Sequence, residues 1–306
     1  MRVLRSTIVA LLLVCTTHIT HGQGFENIFT DLGILVFNEN PNWGAGVSFY
    51  DFDKDGWSDL SFAVKGDSIK LFRNTGDGFE IFPSPLFNPG DSKQLTWVDY
   101  DNDGDADLLN TTYAGYTHLL RNEGDFVFVD VSNIAGIPQN TSALTYGASW
   151  GDYDKDGWLD VYICNYNWPS GITNWLLHNN QDGTFTEVAA SLGVSNGSNP
   201  TFQSVWLDYN GDTWPDLYVI NDKLPLNALY KNDGDGTFTN VSGTSGTNLS
   251  MDAMTNSVCD YDNDGDLDIY ITNEPSGNAL LRNNGMGVFV NVAGQANVSI
   301  NALTWG

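Results

Sequence analysis

The sequence predicts an all-β fold, a β-propeller of four-stranded blades, on three observations. First, an acidic segment recurs five times, beginning at residues 51, 99, 152, 208 and 260, so successive copies are 48, 53, 56 and 52 residues apart. Second, a segment with Asn, Gly and Asp at its centre follows each copy. Third, short apolar runs connect these segments, and the sequence shows no long amphipathic helical pattern. A period near fifty residues is typical of propeller blades.

Each repeat is predicted to supply four short strands, A to D. In the third repeat the acidic segment DYDKDGWLD connects strand A to strand B, which continues as VYICN. The segment LLHNNQDGTFTEV reads as strand, turn and strand, the pattern of a β-hairpin, and supplies strands C and D. Four antiparallel strands in about fifty residues make one blade. The A–B loops are then expected on one face of the ring, and the B–C and D–A loops on the other.

Residues 1–22 are predicted to be a secretory signal peptide. Arg2 and Arg5 precede a short apolar run, Ile8 to Val14, and Thr20 and Gly22 are small residues before a cleavage site at Gln23. The run is too short to span a membrane. A lipoprotein site at Cys15 is the alternative, although Val14 suits it poorly.

Residues 23–306 are predicted to form the propeller. Residues 25–34 match the strand D sequence at 185–194, which predicts an orphan strand that completes the last blade and leaves no free edge. The final residues, NALTWG at 301–306, match SALTYG at 142–147, just before the third acidic segment. We therefore expect a truncated fragment with five full repeats and a sixth blade just begun.

The acidic segments are predicted to bind calcium. Ca²⁺ takes six to eight oxygen ligands in a flexible geometry, and loops that wrap it place oxygens at alternate positions around a glycine turn. Here positions 1, 3, 5 and 9 offer side-chain oxygens, and position 7 offers its backbone carbonyl. The candidate ligands are Asp51, Asp53, Asp55, Trp57, Asp59, Asp99, Asp101, Asp103, Asp105, Asp107, Asp152, Asp154, Asp156, Trp158, Asp160, Asp208, Asn210, Asp212, Trp214, Asp216, Asp260, Asp262, Asp264, Asp266 and Asp268.

The fourth loop departs from the others. Asn210 replaces an aspartate and Thr213 replaces the glycine at position 6, so we expect the fourth of about five calcium sites to be weaker. Magnesium is the other metal to consider, but it prefers fewer protein ligands and keeps its waters. The alternative is that the segments are solvated acidic turns that bind no ion, in which Asp and Gly serve only to form the turn. Five near-identical copies argue against that interpretation.

These paired segments resemble the FG-GAP/VCBS repeat family, which includes the propeller of integrin α chains. GASWGDYDKDGWLDVYICN with LLHNNQDGTFTEVAASLGV is similar to the secreted cartilage-acidic-protein-like group, and the resemblance covers residues 25–306. It implies a seven-bladed calcium-binding propeller, secreted or on a cell surface, that serves adhesion or recognition. The departures at Asn210 and Thr213 put only the fourth site in doubt.

Composition and residue types favour a binding module. The formal charge of −26 argues against nucleic acid and anionic membrane surfaces as partners, and no run after the signal peptide is long enough for membrane insertion. An extracellular protein or glycan is the expected partner. No Ser–His–Asp or Cys–His arrangement is evident, so an enzyme is not expected. A polysaccharide-active enzyme is the less favoured alternative, since nearly half of the carboxylates are assigned to metal.

A carbohydrate-binding, lectin-like propeller is the stronger alternative. Two B–C loops carry aromatic residues that could stack on sugars: Tyr113, Tyr116, Tyr166 and Trp168. Packing within the loops is the other interpretation of these rings. Trp57, Trp158 and Trp214 are expected to cover the metal loops. His178 occupies the repeat position of Arg73, Arg121, Lys231 and Arg282, and is expected to act as a surface cation near an acidic neighbour.

Two cysteines remain after the predicted signal peptide, Cys164 and Cys259. They occupy different positions in their repeats, so a disulfide between them is possible but not indicated. Two buried free thiols are the preferred expectation.

Overall fold

Twenty strands form five antiparallel sheets in the computed structural model, each with four strands in chain order. The structure describes residues 34, 46–66, 68–83, 91–113, 116–140, 142–166, 171–274 and 277–300. The all-β prediction is confirmed, with two single-turn helices added. The predicted signal peptide, most of the predicted orphan strand, Trp168 and residues 301–306 lie outside the described residues.

Each blade follows the same order of four strands. The first contains β1 (Val47–Tyr50), β2 (Asp59–Phe62), β3 (Lys70–Asn74) and β4 (Phe79–Phe82). The second contains β5 (Ser92–Val98), β6 (Asp107–Thr112), β7 (His118–Asn122) and β8 (Phe128–Asp130). The third contains β9 (Thr145–Gly151), β10 (Asp160–Asn165), β11 (Trp175–Asn179) and β12 (Phe185–Glu187), followed by α1 (Ala189–Leu192). The fourth contains β13 (Thr201–Leu207), β14 (Asp216–Asn221), β15 (Ala228–Asn232) and β16 (Phe238–Asn240), followed by α2 (Ser242–Ser245). The fifth contains β17 (Ala253–Cys259), β18 (Asp268–Asn273), β19 (Ala279–Asn283) and β20 (Phe289–Asn291).

Strand register places every acidic segment in an A–B loop. The last residue of strand A pairs with the ninth-position aspartate, which begins strand B; Tyr50 pairs with Asp59 and Leu207 with Asp216. Positions 1 to 8 therefore lie between the two strands. The predicted strand, loop and strand order is confirmed in all five described blades.

The apolar core lies between neighbouring blades. Strands A pack side by side, β1 on β5, β5 on β9, β9 on β13 and β13 on β17. One buried cluster joins Leu109 and Leu119 of the second blade to Val161 and Leu177 of the third. Because each blade buries its faces against its neighbours, the array is cooperative from one blade to the next. The blade count of seven stays a prediction.

Both cysteines are free thiols, but their environments differ. Cys164 is buried in β10, and burial raises the pKa of its thiol to about 12. Cys259 is exposed, so the expectation of two buried thiols is wrong for this residue. The residues at the same position in the second and fourth blades, Val98 and Leu207, are buried among neighbouring blades. Cys259 lies on the fifth blade, which has no following blade among the described residues.

Candidate metal centres

The backbone of each A–B loop turns at positions 4 and 6. Position 4 has a left-handed conformation in all five loops, with φ between 55° and 74°, and position 6 has φ between 74° and 95°. These turns direct backbone amides at the first carboxylate. In the first loop the carboxylate of Asp51 accepts hydrogen bonds from the amides of Asp55, at 3.0 Å, and Gly56, at 2.8 Å. The loops are therefore preorganised around position 1.

The ninth-position aspartates are buried and tie the loop to strand C. In the third blade, Asp160 accepts a hydrogen bond from the amide of Tyr153 at 3.2 Å and from the amide of Asn179 at 2.8 Å. Equivalent pairs of bonds hold the other four, which are Asp59, Asp107, Asp216 and Asp268. An oxygen that accepts only one of these hydrogen bonds keeps a further lone pair for a cation, whereas Oδ1 of Asp160 also has the Nδ1 atom of His178 at 3.1 Å.

Carboxylates of each described cluster converge on one point. In the first three loops one oxygen each from positions 1, 3 and 9 lies within 4.8 Å of the others, and in the fourth loop positions 1, 5 and 9 do so. Burial, together with the neighbouring aspartates, raises the pKa of three ninth-position carboxyls, Asp107, Asp160 and Asp216, to about 7. The carboxylates of a cluster therefore repel one another when ionised, and a bound cation would offset that repulsion.

The donor set fits a hard divalent cation. In the second loop, Asp99 and Asp101 each have one buried carboxylate oxygen, Oδ1, with no hydrogen-bond partner among the described residues. Unsatisfied buried carboxylate oxygens are costly, and a metal ion satisfies them. The side-chain donors predicted for the loop are all oxygens, which suits Ca²⁺ or Mg²⁺ rather than a softer metal. Ca²⁺ accepts several carboxylates in a flexible geometry, whereas Mg²⁺ requires near-octahedral geometry and usually keeps several waters.

Positions 5 and 7 are more exposed than the buried ninth-position aspartates. The position 5 aspartates are exposed, and Asp55 accepts a hydrogen bond from the amide of Trp57. The rings of Trp57 and Trp214 lie on hairpin glycines of their own blades, Gly76 and Gly234. These tryptophans therefore cover the C–D hairpin beside the loop. A position 7 carbonyl ligand stays a prediction.

The fourth loop shows the physical consequences of its two departures. Thr213 has a left-handed conformation with φ of 74°, which is strained for a β-branched residue. The amide group of Asn210 donates to the Oδ2 oxygen of Asp212 at 3.0 Å, so this carboxylate oxygen already has a partner within its own loop. Both features support the expectation of a weaker fourth site.

The second, third and fourth loops are each clamped by the next blade, a feature that sequence reasoning missed. The Nδ2 group of Asn179 donates to the carbonyl of Tyr100 at 2.8 Å, and Asn232 and Asn283 make the same bond to Tyr153 and Tyr209. The ring at position 2 packs on a phenylalanine of that blade, as Tyr100 does on Phe185 at 5.7 Å. The signal was present in the sequence, because Asn and Phe recur in all five hairpins.

Side chains also link successive loops on one face. Lys54 of the first loop donates to the carbonyl of Gly104 and pairs with Asp105 of the second, at 2.6 Å and 2.8 Å. Lys155 of the third loop donates to Thr213 of the fourth at 2.7 Å and lies 4.2 Å from the ring centre of Trp214. The predicted placement of the A–B loops on a common face is therefore confirmed for these blades.

The cation of strand C lies against the loop of its own blade. Arg73 pairs with Asp53, and Lys231 lies 3.4 Å from Asp212. The Nδ1 atom of His178 lies 3.1 Å from Asp160 and 3.5 Å from Asp154. The expectation that His178 sits near an acidic neighbour is confirmed.

On the opposite face the structure brings together two of the four predicted ligand-binding aromatics. Tyr113 and Tyr166 both contact Tyr146, with ring centres 5.4 Å and 4.5 Å away. Tyr116 is exposed, and Trp168 lies outside the described residues.

The fold and these loops define a class: a β-propeller that carries an acidic loop in every described blade. A family model described as an FG-GAP-like repeat matches residues 51–110, 99–163, 152–219 and 208–271. The chain therefore belongs to the FG-GAP-like repeat family.

Two curated relatives are cartilage acidic protein 1 of Homo sapiens and of Mus musculus. The human protein is 30% identical over 161 residues, which are 50% of this chain and 23% of that protein. The mouse protein is 28% identical over 159 residues, 50% of this chain and 24% of that protein. The match thus spans about a quarter of the length of these relatives.

Among solved structures, a lectin of Agrocybe aegerita shares the fold. Its structure is described as the basis of specific recognition of non-reducing terminal N-acetylglucosamine. It superposes with a TM-score of 0.50 at 19% identity, covering 81% of this chain and 65% of the lectin. In the described part of the chain, the helices are too short to span a bilayer.

Proposed function

We propose that this chain is a secreted or cell-surface recognition module whose A–B loops hold structural calcium ions. The observation that carries the proposal is the repeated convergence of carboxylates in the loops, with the partnerless buried oxygens of Asp99 and Asp101. An N-terminal segment with the pattern of a signal peptide and relatives named for cartilage support an extracellular location.

The aspartates at positions 1, 3 and 9 would hold the ion, with position 5 completing the set. A bound ion would supply positive charge at the point where the carboxylates repel one another. The chain itself already fixes the geometry, since the amides at positions 2, 5 and 6 orient the carboxylates. The ninth-position aspartate then transmits the order of the loop to strand C. The loops therefore hold the blades together and leave recognition to the opposite face.

The module would bind a partner rather than catalyse a reaction. The expected partner is an extracellular protein or a glycan, since the charge of −26 disfavours nucleic acid and anionic membrane surfaces. Carbohydrate binding is the second candidate function. It is favoured by the aromatic cluster around Tyr146 on the face opposite the loops. A polysaccharide-active enzyme remains the less favoured alternative.

Thermal unfolding with and without calcium tests the proposal. A site stabilises by RT ln(1 + [L]/Kd), about 1.4 kcal/mol at tenfold excess, so several filled sites should raise the melting temperature by many degrees. Magnesium at the same concentration should raise it less. The variant D101N should reduce the response, and E80Q on the exposed strand β4 should keep it. An unchanged melting temperature in calcium would show that the loops are not metal sites.

A further inference from the structure

A cavity of about 320 Å³ opens on the face opposite the A–B loops. Four blades line it, and most of the lining residues come from two positions of the repeat. The position six residues before the first loop aspartate contributes Lys93, Tyr146, Phe202 and Met254. The position six residues after the ninth-position aspartate contributes Tyr113, Tyr166, Asp222 and Glu274.

The backbone at these positions is the same in each blade, but the side chains differ. The amides of Tyr113 and Tyr166 donate to the carbonyls of Asp91 and Leu144, both at 2.8 Å. Asp222 and Glu274 make the equivalent bonds to Pro200 and Asp252 at 2.9 Å and 3.2 Å. Because the backbone is the same in all four blades, it does not explain why two blades have a tyrosine at this position and two have a carboxylate. By contrast, the A–B loops repeat nearly the same residues where they serve the same structural role.

Aromatic rings form one side of the cavity. Tyr146 and Tyr166 are stacked with ring centres 4.5 Å apart and planes 5° apart, and Phe202 meets each ring edge-on at 5.2 Å. The ammonium of Lys93 lies 5.0 Å to 5.5 Å from the rings of Tyr113, Tyr146 and Phe202. Burial lowers the pKa of Lys93 to about 8. The aromatic side thus already contains a cation of the chain itself.

Carboxylates form the other side. Asp222 accepts a hydrogen bond from the hydroxyl of Tyr166 and pairs with Lys223 at 3.2 Å. Asp252 and Glu274 also line the cavity, and neither has an ion-pair partner among the described residues. The rim is strained, because both Lys223 and Leu224 have left-handed backbone, with φ of 61° and 71°. Such strain is concentrated at functional sites in many proteins.

These groups select the class of ligand. An anion would be repelled by Asp222, Asp252 and Glu274, and a simple cation would meet Lys93 at the aromatic side. A neutral sugar is compatible with both the carboxylates and the ammonium, because its hydroxyls donate hydrogen bonds to carboxylates and accept them from an ammonium. Its C–H face packs on aromatic rings. The volume equals about ten water molecules at about 30 Å³ each, enough for one or two sugar rings.

We propose that this cavity binds a neutral sugar unit, with Tyr166 and Phe202 as the stacking surface and with Lys93, Asp252 and Glu274 as hydrogen-bonding groups. The inference rests on the proposed function, since it assigns the ligand class of the recognition face.

Binding of the calcium-loaded chain to an array of neutral, sialylated and sulfated glycans tests this assignment, followed by calorimetry with the best free sugar. Neutral glycans should give the specific signals. The double variant D252N/E274Q keeps side-chain shape and should weaken binding at least tenfold, since hydrogen bonds to charged groups contribute about 1.5–3 kcal/mol each. D91N changes the residue equivalent to Asp252 in the second repeat, which does not line the cavity, and should change affinity less than twofold.

A second measurement does not depend on variants. Reductive methylation followed by mass spectrometry should modify Lys93 less when the sugar is present, while exposed Lys54 is modified equally. Absence of neutral glycan binding, preference for sialylated or sulfated glycans, displacement of the sugar by an oligolysine peptide, or unchanged Lys93 labelling would each overturn the inference. The calcium-dependent melting temperature of the same preparations reports separately on the proposed function.

Discussion

Replacing Asn232 by alanine should remove the clamp between the third and fourth blades. The side chain is 2% exposed. Its Nδ2 group donates to the carbonyl of Tyr153 at 2.7 Å and to that of Pro215 at 3.2 Å, and its Oδ1 oxygen accepts from the amide of Gly234 at 3.0 Å. Only the bond to Tyr153 crosses between blades. The loss therefore affects both the hairpin and the neighbouring A–B loop.

The magnitude follows from these three bonds. Each contributes about 1 kcal/mol net, so Asn232→Ala should lower the free energy of unfolding by about 3 kcal/mol. For a chain of this size, 1 kcal/mol shifts the melting temperature by roughly 2–4 °C, which gives a decrease of about 6–12 °C. Asn232→Asp restores the shape but removes the donors, and so should be no more stable than the alanine variant.

Thermal unfolding followed by circular dichroism at saturating calcium measures the effect. Asn180→Ala is the matched control, since Asn180 is an exposed hairpin residue whose amide bonds Thr184 at 3.0 Å. It should lower the melting temperature by less than about 2 °C, as surface substitutions stay within about 0.5 kcal/mol. If Asn232→Ala unfolds at the same temperature as this control, the clamp does not join the blades.

Two further predictions concern the loops. With calcium chelated, the melting temperature should fall as pH rises from about 5 to 8. The reason is that the folded chain holds protons on Asp107, Asp160 and Asp216, whose pKa values are about 7, while the unfolded chain releases them near 3.8. Excess calcium should flatten or reverse this dependence of the melting temperature on pH. A dependence that calcium leaves unchanged would contradict the prediction. Thr213→Gly should raise the melting temperature by about 2–4 °C, because it relieves roughly 1 kcal/mol of strain in the left-handed backbone at this position. Gly157→Thr introduces the same strain in the third loop and should lower the melting temperature. If both substitutions change the melting temperature equally, strain at position 6 is not the cause.

The fold could be predicted because its signals are local and repeated. The aspartates at 51, 99, 152, 208 and 260 gave the period, and the turn residues of each hairpin gave the strand connections. The A–B loop position followed from the order of segments within each repeat, and the proximity of His178 to an aspartate followed from the repeat position that it shares with Arg73 and Lys231. The clustering of positions 1, 3 and 9 in the first three loops also followed, since those residues belong to one loop.

Contacts between blades could not be predicted in the same way. The bond from Asn179 to Tyr100 joins residues 79 positions apart, and nothing in the local pattern names its acceptor. The cavity around Tyr146 combines residues of four repeats, so the aromatic residues of the B–C loops revealed only part of it. The exposure of Cys259 depends on the neighbour of its blade, not on its strand.

Counting calcium ions on the chain tests the central claim most directly. After equilibrium dialysis against calcium and magnesium, elemental analysis should find about five calcium ions per chain at saturation, with one of them lost first as free calcium is lowered. The substitution D208N should remove that weakest ion and leave the others. Less than one calcium ion per chain, or equal occupancy by magnesium, would contradict the account of the A–B loops as calcium sites.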